Sequence, residues 1–176
     1  AGLKESDVQI REVGFTQVQA LTTKQVDAVV GYANNEPVQL KALGQAITTI
    51  NVFDTVDLVA NGLVTDEKTL RENPELVKSV SRAMVRGVQD VVAKPDEAVT
   101  LCIPYIPGSA EKRAQLRAVL DATIPLFQSP ATTQQGYGYS NPASWQNSVV
   151  LLRKLGFLGS DVDVSKSFSN EYLPPK

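Results

Sequence analysis

VDAVVGYANNEPVQL, residues 26–40, passes from an apolar run to a polar cluster within a few residues. It opens as a compact, β-branched apolar run, the pattern of a buried strand. It then turns abruptly polar through Tyr32, Asn34, Asn35 and Glu36. Asn34 or Asn35 can cap a helix, Pro37 suits a first helical turn, and Gly44 suits the position just past its end. The stretch therefore predicts a strand, a polar junction and a helix.

Working outward, the same alternation recurs. DVQIREVGF (7–15) is predicted as a strand through Val8, Ile10 and Val13. TQVQALTTKQ (16–25), with Phe15, Val18 and Leu21 at roughly helical spacing, is predicted as a short amphipathic helix. AITTINVFD (46–54) is predicted as a third strand. Residues 7–54 thus read β-α-β-α-β, an α/β pattern that favours a parallel sheet with right-handed crossovers. TVDLVANGLVTD adds extended chain around Asn61-Gly62.

Beyond Thr65 the texture is helical. The helix from Asn73 to Pro95 is expected to bury Leu76, Val80, Met84, Val88 and Val91. A second helix is expected after Ser109 as its cap. A third runs from a cap at Asn141 to Gly156. TTQQGYGYSNP between them reads as a polar loop, and VSKSFSNEYLPPK as a surface tail. Met84, Cys102 and Trp145 are expected in the core. GYGYSN lacks the Gly-Lys-Ser/Thr ending of a phosphate loop.

Composition excludes several functions. The chain has 176 residues, 43% hydrophobic and 20% charged, as an ordinary folded domain has. Net charge is −2 with no clustered Lys and Arg, so no nucleic-acid partner is expected. No apolar run approaches the roughly 20 residues that span a bilayer. There is no histidine, which removes Ser-His-Asp chemistry and His-ligated metal sites. The single Cys102 allows no intrachain disulfide. No cofactor, metal or catalytic group is expected. AGLKESDVQI begins without an initiator Met and reads as the run-in to a strand, as in a mature or truncated chain.

Ligands of open α/β sheets sit beyond the carboxyl ends of the strands, which is where GYANNE falls. Tyr32 offers a face and a hydroxyl. Asn34 and Asn35 can read the edge of a heterocycle. Glu36 can accept from a ring amine or N–H. The plainer alternative is that the asparagines cap a helix and Glu36 complements its dipole. Asp54 ends the next predicted strand and could face the same crevice, or simply close a turn.

Long stretches of the chain resemble one family. VGFTQVQALTTKQVDAVVGYANNEPVQL is similar to the second-lobe core of bacterial ABC-transporter substrate-binding proteins with the type II periplasmic-binding-protein fold. NGLVTDEKTLRENPELVKSVSRAMVRGVQDVVAKPDEAV resembles the return into their first lobe. NPASWQNSVVLLRKLGFL and FSNEYLP resemble their C-terminal helix and tail. The branch includes proteins for thiamine pyrimidine precursors, riboflavin, and nitrate, sulfonate or taurine.

The resemblance implies the C-terminal portion of such a protein, with the N-terminal lobe apparently missing. Residues 1–58 would be part of the second ligand-binding lobe. Residues 59–176 would be the return segment and helices that pack on the absent first lobe. It implies a non-enzymatic importer subunit that captures a small heteroaromatic nutrient, riboflavin or a thiamine pyrimidine precursor, in an interlobe cleft. The ligand residues would be Tyr32, Asn34, Asn35, Glu36 and Asp54. The alternatives are a binder of nitrate-, sulfonate- or taurine-type anions, or an enzyme like thiamine-pyrimidine synthase. An ABC permease would be the partner. The location would be extracytoplasmic, in the periplasm or anchored at the cell surface as a lipoprotein. The isolated fragment is expected to self-associate through uncovered apolar faces.

Overall fold

A computed structural model describes residues 4–159 and 161–175. The first three residues of the run-in and Lys176 of the tail lie outside the described residues. Eight α-helices form among those described: α1 (Gln17–Thr22), α2 (Glu36–Ala42), α3 (Glu67–Glu72), α4 (Pro74–Ala93), α5 (Pro95–Cys102), α6 (Arg113–Thr123), α7 (Pro130–Gln135) and α8 (Pro142–Lys154). α1 packs on α2, and α2 packs on α6. The chain of contacts then runs from α6 to α5, α4 and α3.

Helix ends follow local chemistry. The Asp66 carboxylate caps α3 by accepting from the Thr69 backbone N–H at 2.6 Å, and this bond holds its carboxyl below the ordinary value. Asn141 caps α8 by accepting from Ala143 N–H. α2 closes with Gly44 N–H donating to Lys41 C=O and Gln45 N–H to Leu40 C=O, the paired bonds of a Schellman ending. Gly44 has φ +72°, a conformation only glycine adopts freely. α1 closes with the same two bonds but sets Lys24 in the left-handed position, at φ +57°.

The helical order of the expected β-α-β-α-β unit is present, but its sheet is not. No strand forms among the described residues, and no backbone hydrogen bond joins the segments around 8–13, 26–32 and 46–51. Periodic apolar residues specify a face to cover, whereas a strand also needs a neighbouring backbone about 4.8 Å away. These segments are extended and uncovered: Ile10 is 72% exposed, Val30 91% and Ile50 87%. The parallel lobe is therefore not formed within this span.

The helical half departs in detail too. The covered face of α4 runs through Val77, Ser81, Val85, Val88 and Val92, with Val85 buried. Leu76, Val80 and Met84 are exposed, one step round the helix from that face. Cys102 is exposed as well. Pro95 stops α4 but also opens α5. Ser109 is buried, yet its hydroxyl donates to Ile103 C=O rather than capping α6. α6 narrows into a 3-10 turn at Ile124 because Pro125 has no N–H to continue the helix. α7 takes up the start of the expected polar loop.

The tail is docked. Trp145 stacks on Phe168 with ring centroids 5.3 Å apart, so it packs against the tail rather than in a deep core. The Asn170 amide bridges both backbone groups of Ser140, at 2.8 and 3.0 Å. Accessible surface totals 13507 Å² for a 19.0 kDa chain. A compact monomer of that mass exposes about 8,400 Å². The difference is surface that this span does not cover itself, and Phe15, Val30 and Ile50 are among the apolar side chains left exposed on it.

Lys24→Gly should raise stability by about 1 kcal/mol, because glycine carries no penalty in the left-handed region. The gain should read as a higher urea midpoint at unchanged slope. No gain would mean that Lys24 makes compensating contacts.

Candidate functional site

The polar junction folds into a tight knot. Tyr32 C=O accepts from Asn35 N–H at 2.9 Å, closing a β-turn that delivers the chain into α2. Pro37 sits in the first turn of that helix, as its fixed φ favours. The Glu36 side chain then folds back over the turn. Its Oε2 accepts from Tyr32 N–H at 2.6 Å, and its Oε1 accepts from Asn35 Nδ2 at 3.0 Å. Asn35 Oδ1 accepts in turn from Gln39 Nε2 at 2.8 Å. Glu36 is only 8% exposed, so a carboxylate is buried here with both oxygens bonded.

Gly31 makes this possible. A Cβ at that position would lie 2.5 Å from Glu36 Oε2. The carboxylate occupies the volume any other residue would fill.

Asn34 points elsewhere. Its Nδ2 donates to Thr123 Oγ1 at 2.8 Å, and that hydroxyl donates to Val119 C=O within α6. The junction is thus bolted to the end of α6. Tyr32 keeps an exposed side chain, at 68%. Asp54 lies in a separate 3-10 turn, exposed, where it accepts from Asn51 Nδ2 at 3.2 Å. Tyr32, Asn34, Asn35 and Glu36 are brought together, then, and Asp54 is held in its own turn. Neither asparagine caps α2 through its side chain.

A hollow of about 480 Å³ opens between α1 and α2 beside the knot. Its walls include Phe15, Gln17, Asn35, Glu36, Gln39 and Leu43, and no Lys or Arg lines it. Phe15 stands fully exposed at 103%. Among the described residues the Gln17 amide makes no hydrogen bond, which leaves its donor and acceptor available at the rim. Phe15, Gln17 and Gln39 were not singled out from the sequence as site residues. The available signal was their placement: Phe15 and Gln17 flank the start of α1, and Gln39 lies one turn into α2.

The hollow thus brings amides, one aromatic ring and one carboxylate together between two short helices. Residues 1–98 match the family model described as NMT1/THI5 like, and the chain belongs to that family. The riboflavin-binding protein RibY of Chloroflexus aurantiacus is 38% identical over 98% of this chain and 50% of its own length. The formylaminopyrimidine-binding protein of Halalkalibacterium halodurans is 30% identical over 97% of the chain and 52% of its own length. A 4-amino-5-hydroxymethyl-2-methylpyrimidine phosphate synthase of Legionella pneumophila is 24% identical, over 99% of the chain and 54% of its own length. The chain spans about half the length of these curated relatives. Two carry names of binding proteins and one the name of an enzyme.

Thr123→Val removes the acceptor for Asn34 at nearly constant volume. It also removes the hydroxyl's own bond to Val119 C=O, so it should cost about 1–2 kcal/mol in urea unfolding, on the scale of the net worth of one to two part-buried hydrogen bonds. Unchanged stability would show that water replaces the hydroxyl there.

Proposed function

We propose that this chain supplies one wall of a binding site for a small, flat heteroaromatic compound, of the riboflavin or pyrimidine-precursor type. The observation that carries the reading is the lining of the α1–α2 hollow. Phe15 offers a free ring face, Gln17 and Gln39 offer amides at the edge, and no Lys or Arg lies among the lining residues, whose one charged group is the inward-bonded Glu36. A nitrate, sulfonate or taurine site needs cationic or N–H donors, and a carboxylate is a poor neighbour for an anion. A neutral or amino-bearing ring suits the same wall. Two relatives named for binding a flavin and an aminopyrimidine support the choice.

On this reading the protein binds and releases its ligand unchanged, as the capture subunit of an ABC importer working outside the cytoplasm with a membrane permease. Among the described residues no helix is long and apolar enough to cross a membrane. Residues 1–58 carry the wall, and residues 59–176 carry the helices that brace it. The link between them is pinned to α8, where Ser144 Oγ donates to Asp57 Oδ2 at 2.8 Å and Val59 N–H donates to Ser148 Oγ at 2.9 Å. The uncovered Ile10, Val30 and Ile50 side chains are cause for self-association whenever the chain stands alone.

Riboflavin fluorescence should be quenched on titration with the protein, or a formylaminopyrimidine should raise its melting temperature. Phe15→Ala should weaken the ring ligand about two- to tenfold, the worth of one stacked aromatic. Binding of taurine or nitrate with no response to either ring compound would overturn the reading.

A further inference from the structure

Glu36 looks from its sequence position like a group that bonds the ligand. The geometry points to a different role, and we propose that Glu36 and Gly31 together form a clasp that positions Tyr32 and Asn35, with Glu36 acting through them rather than on the ligand. The inference rests on the binding reading for its ligand and on the knot alone for its mechanism.

Three observations carry it. Both carboxylate oxygens are already engaged inside the protein, Oε2 by Tyr32 N–H at 2.6 Å and Oε1 by Asn35 Nδ2 at 3.0 Å. The group is buried, so turning it toward a ligand would cost the Tyr32 N–H and the Asn35 amide their part-buried acceptor. The fit over Gly31 is exclusive, since a Cβ there would come within 2.5 Å of Oε2 and 2.8 Å of Cδ. A glycine with no side chain and a glutamate folded into its space are two halves of one device.

The clasp fixes what faces outward. It ties the Tyr32 backbone N–H and the Asn35 side-chain amide to one carboxylate, so the backbone that carries the Tyr32 ring and the Asn35 side of the hollow hold one arrangement before any ligand arrives. Preorganisation of this kind raises affinity by removing an ordering cost at binding. Gln39 extends the same line, because its amide donates to Asn35 Oδ1 and its side chain lines the hollow.

The chemistry predicts a specific pattern of substitutions. Glu36→Gln keeps an acceptor for Tyr32 N–H, and the Asn35 and Gln39 amides can reverse together to suit the new amide. Glu36→Ala removes the acceptor. Gly31→Ala leaves Glu36 intact but denies it its place.

The test is exchange of the Tyr32 amide proton followed by NMR, with ligand affinity measured on the same proteins. Tyr32 exchange should be slow in the wild type and in Glu36→Gln, and at least tenfold faster in Glu36→Ala and Gly31→Ala. Riboflavin, or the formylaminopyrimidine if that is the compound bound, should bind Glu36→Gln within threefold of wild type. Both alanine variants should lose at least tenfold. Equal Tyr32 exchange in wild type and Glu36→Ala would overturn the clasp. So would a loss of binding in Glu36→Gln as large as in Glu36→Ala with Gly31→Ala unaffected, the signature of direct contact. If the wild type binds neither ring compound, the heteroaromatic reading fails while Tyr32 exchange still decides the clasp. Should Gly31→Ala fail to fold, the contrast between Glu36→Gln and Glu36→Ala suffices.

Discussion

The rest of the site depends on a carboxylate buried in a turn. Moving an ionised glutamate out of water is costly unless both oxygens find donors. Here they find a backbone N–H and a side-chain amide within five residues of sequence. Those two bonds dictate what surrounds them. A side chain at residue 31 would displace the folded Glu36, Asn35 turns its amide inward to meet it, and Gln39 follows one helical turn later. The entry to α2 is thereby fixed, and with it one wall of the hollow that faces α1.

A second constraint operates at larger scale. The helices brace one another in sequence, and one ion pair supports the join of α5 to α6, where Arg117 of α6 bonds Asp96 of α5 as well as Asp121 on its own helix. The extended segments between the early helices have no such support. Their apolar residues face outward, and the accessible surface far exceeds that of a closed domain of this mass. Polar knots hold this span together locally: Asn34 on Thr123, Asn170 on Ser140, and Ser144 and Ser148 on the link at 57–59. Each is a side chain doing the joining that a sheet would otherwise do.

This explains what the sequence disclosed and what it did not. Helix punctuation is local chemistry, so Pro37, Gly44, Asn141 and Gly156 mark ends that the structure reproduces. The strands were not reproduced because alternation at Val8, Ile10 and Val13 records which face wants cover and carries no information about where a partner lies. The first half of the α4 face lies one position on from the expected stripe, because Leu76, Val80 and Met84 are spaced as regularly as Val77, Ser81 and Val85, while Val88 and Val91 of that stripe are part covered. Only the neighbours of α4 choose between them. Within the site, the cluster of Tyr32, Asn34, Asn35 and Glu36 was legible as a polar junction. Its inward bonding was not, because a side chain folding back over Gly31 is a matter of a few ångströms. Phe15 read as part of a helical stripe and stands instead at the rim, since α1 starts only at Gln17.

We propose that a flat ring is held in the hollow between α1 and α2. Mapping amide chemical-shift changes on adding riboflavin, with taurine as the control, tests it most directly. Changes should concentrate at residues 15–19 and 35–43 for the ring compound, with none there for taurine. Changes centred on Asp54 or on the 136–140 loop, with the α1–α2 hollow silent, would contradict it.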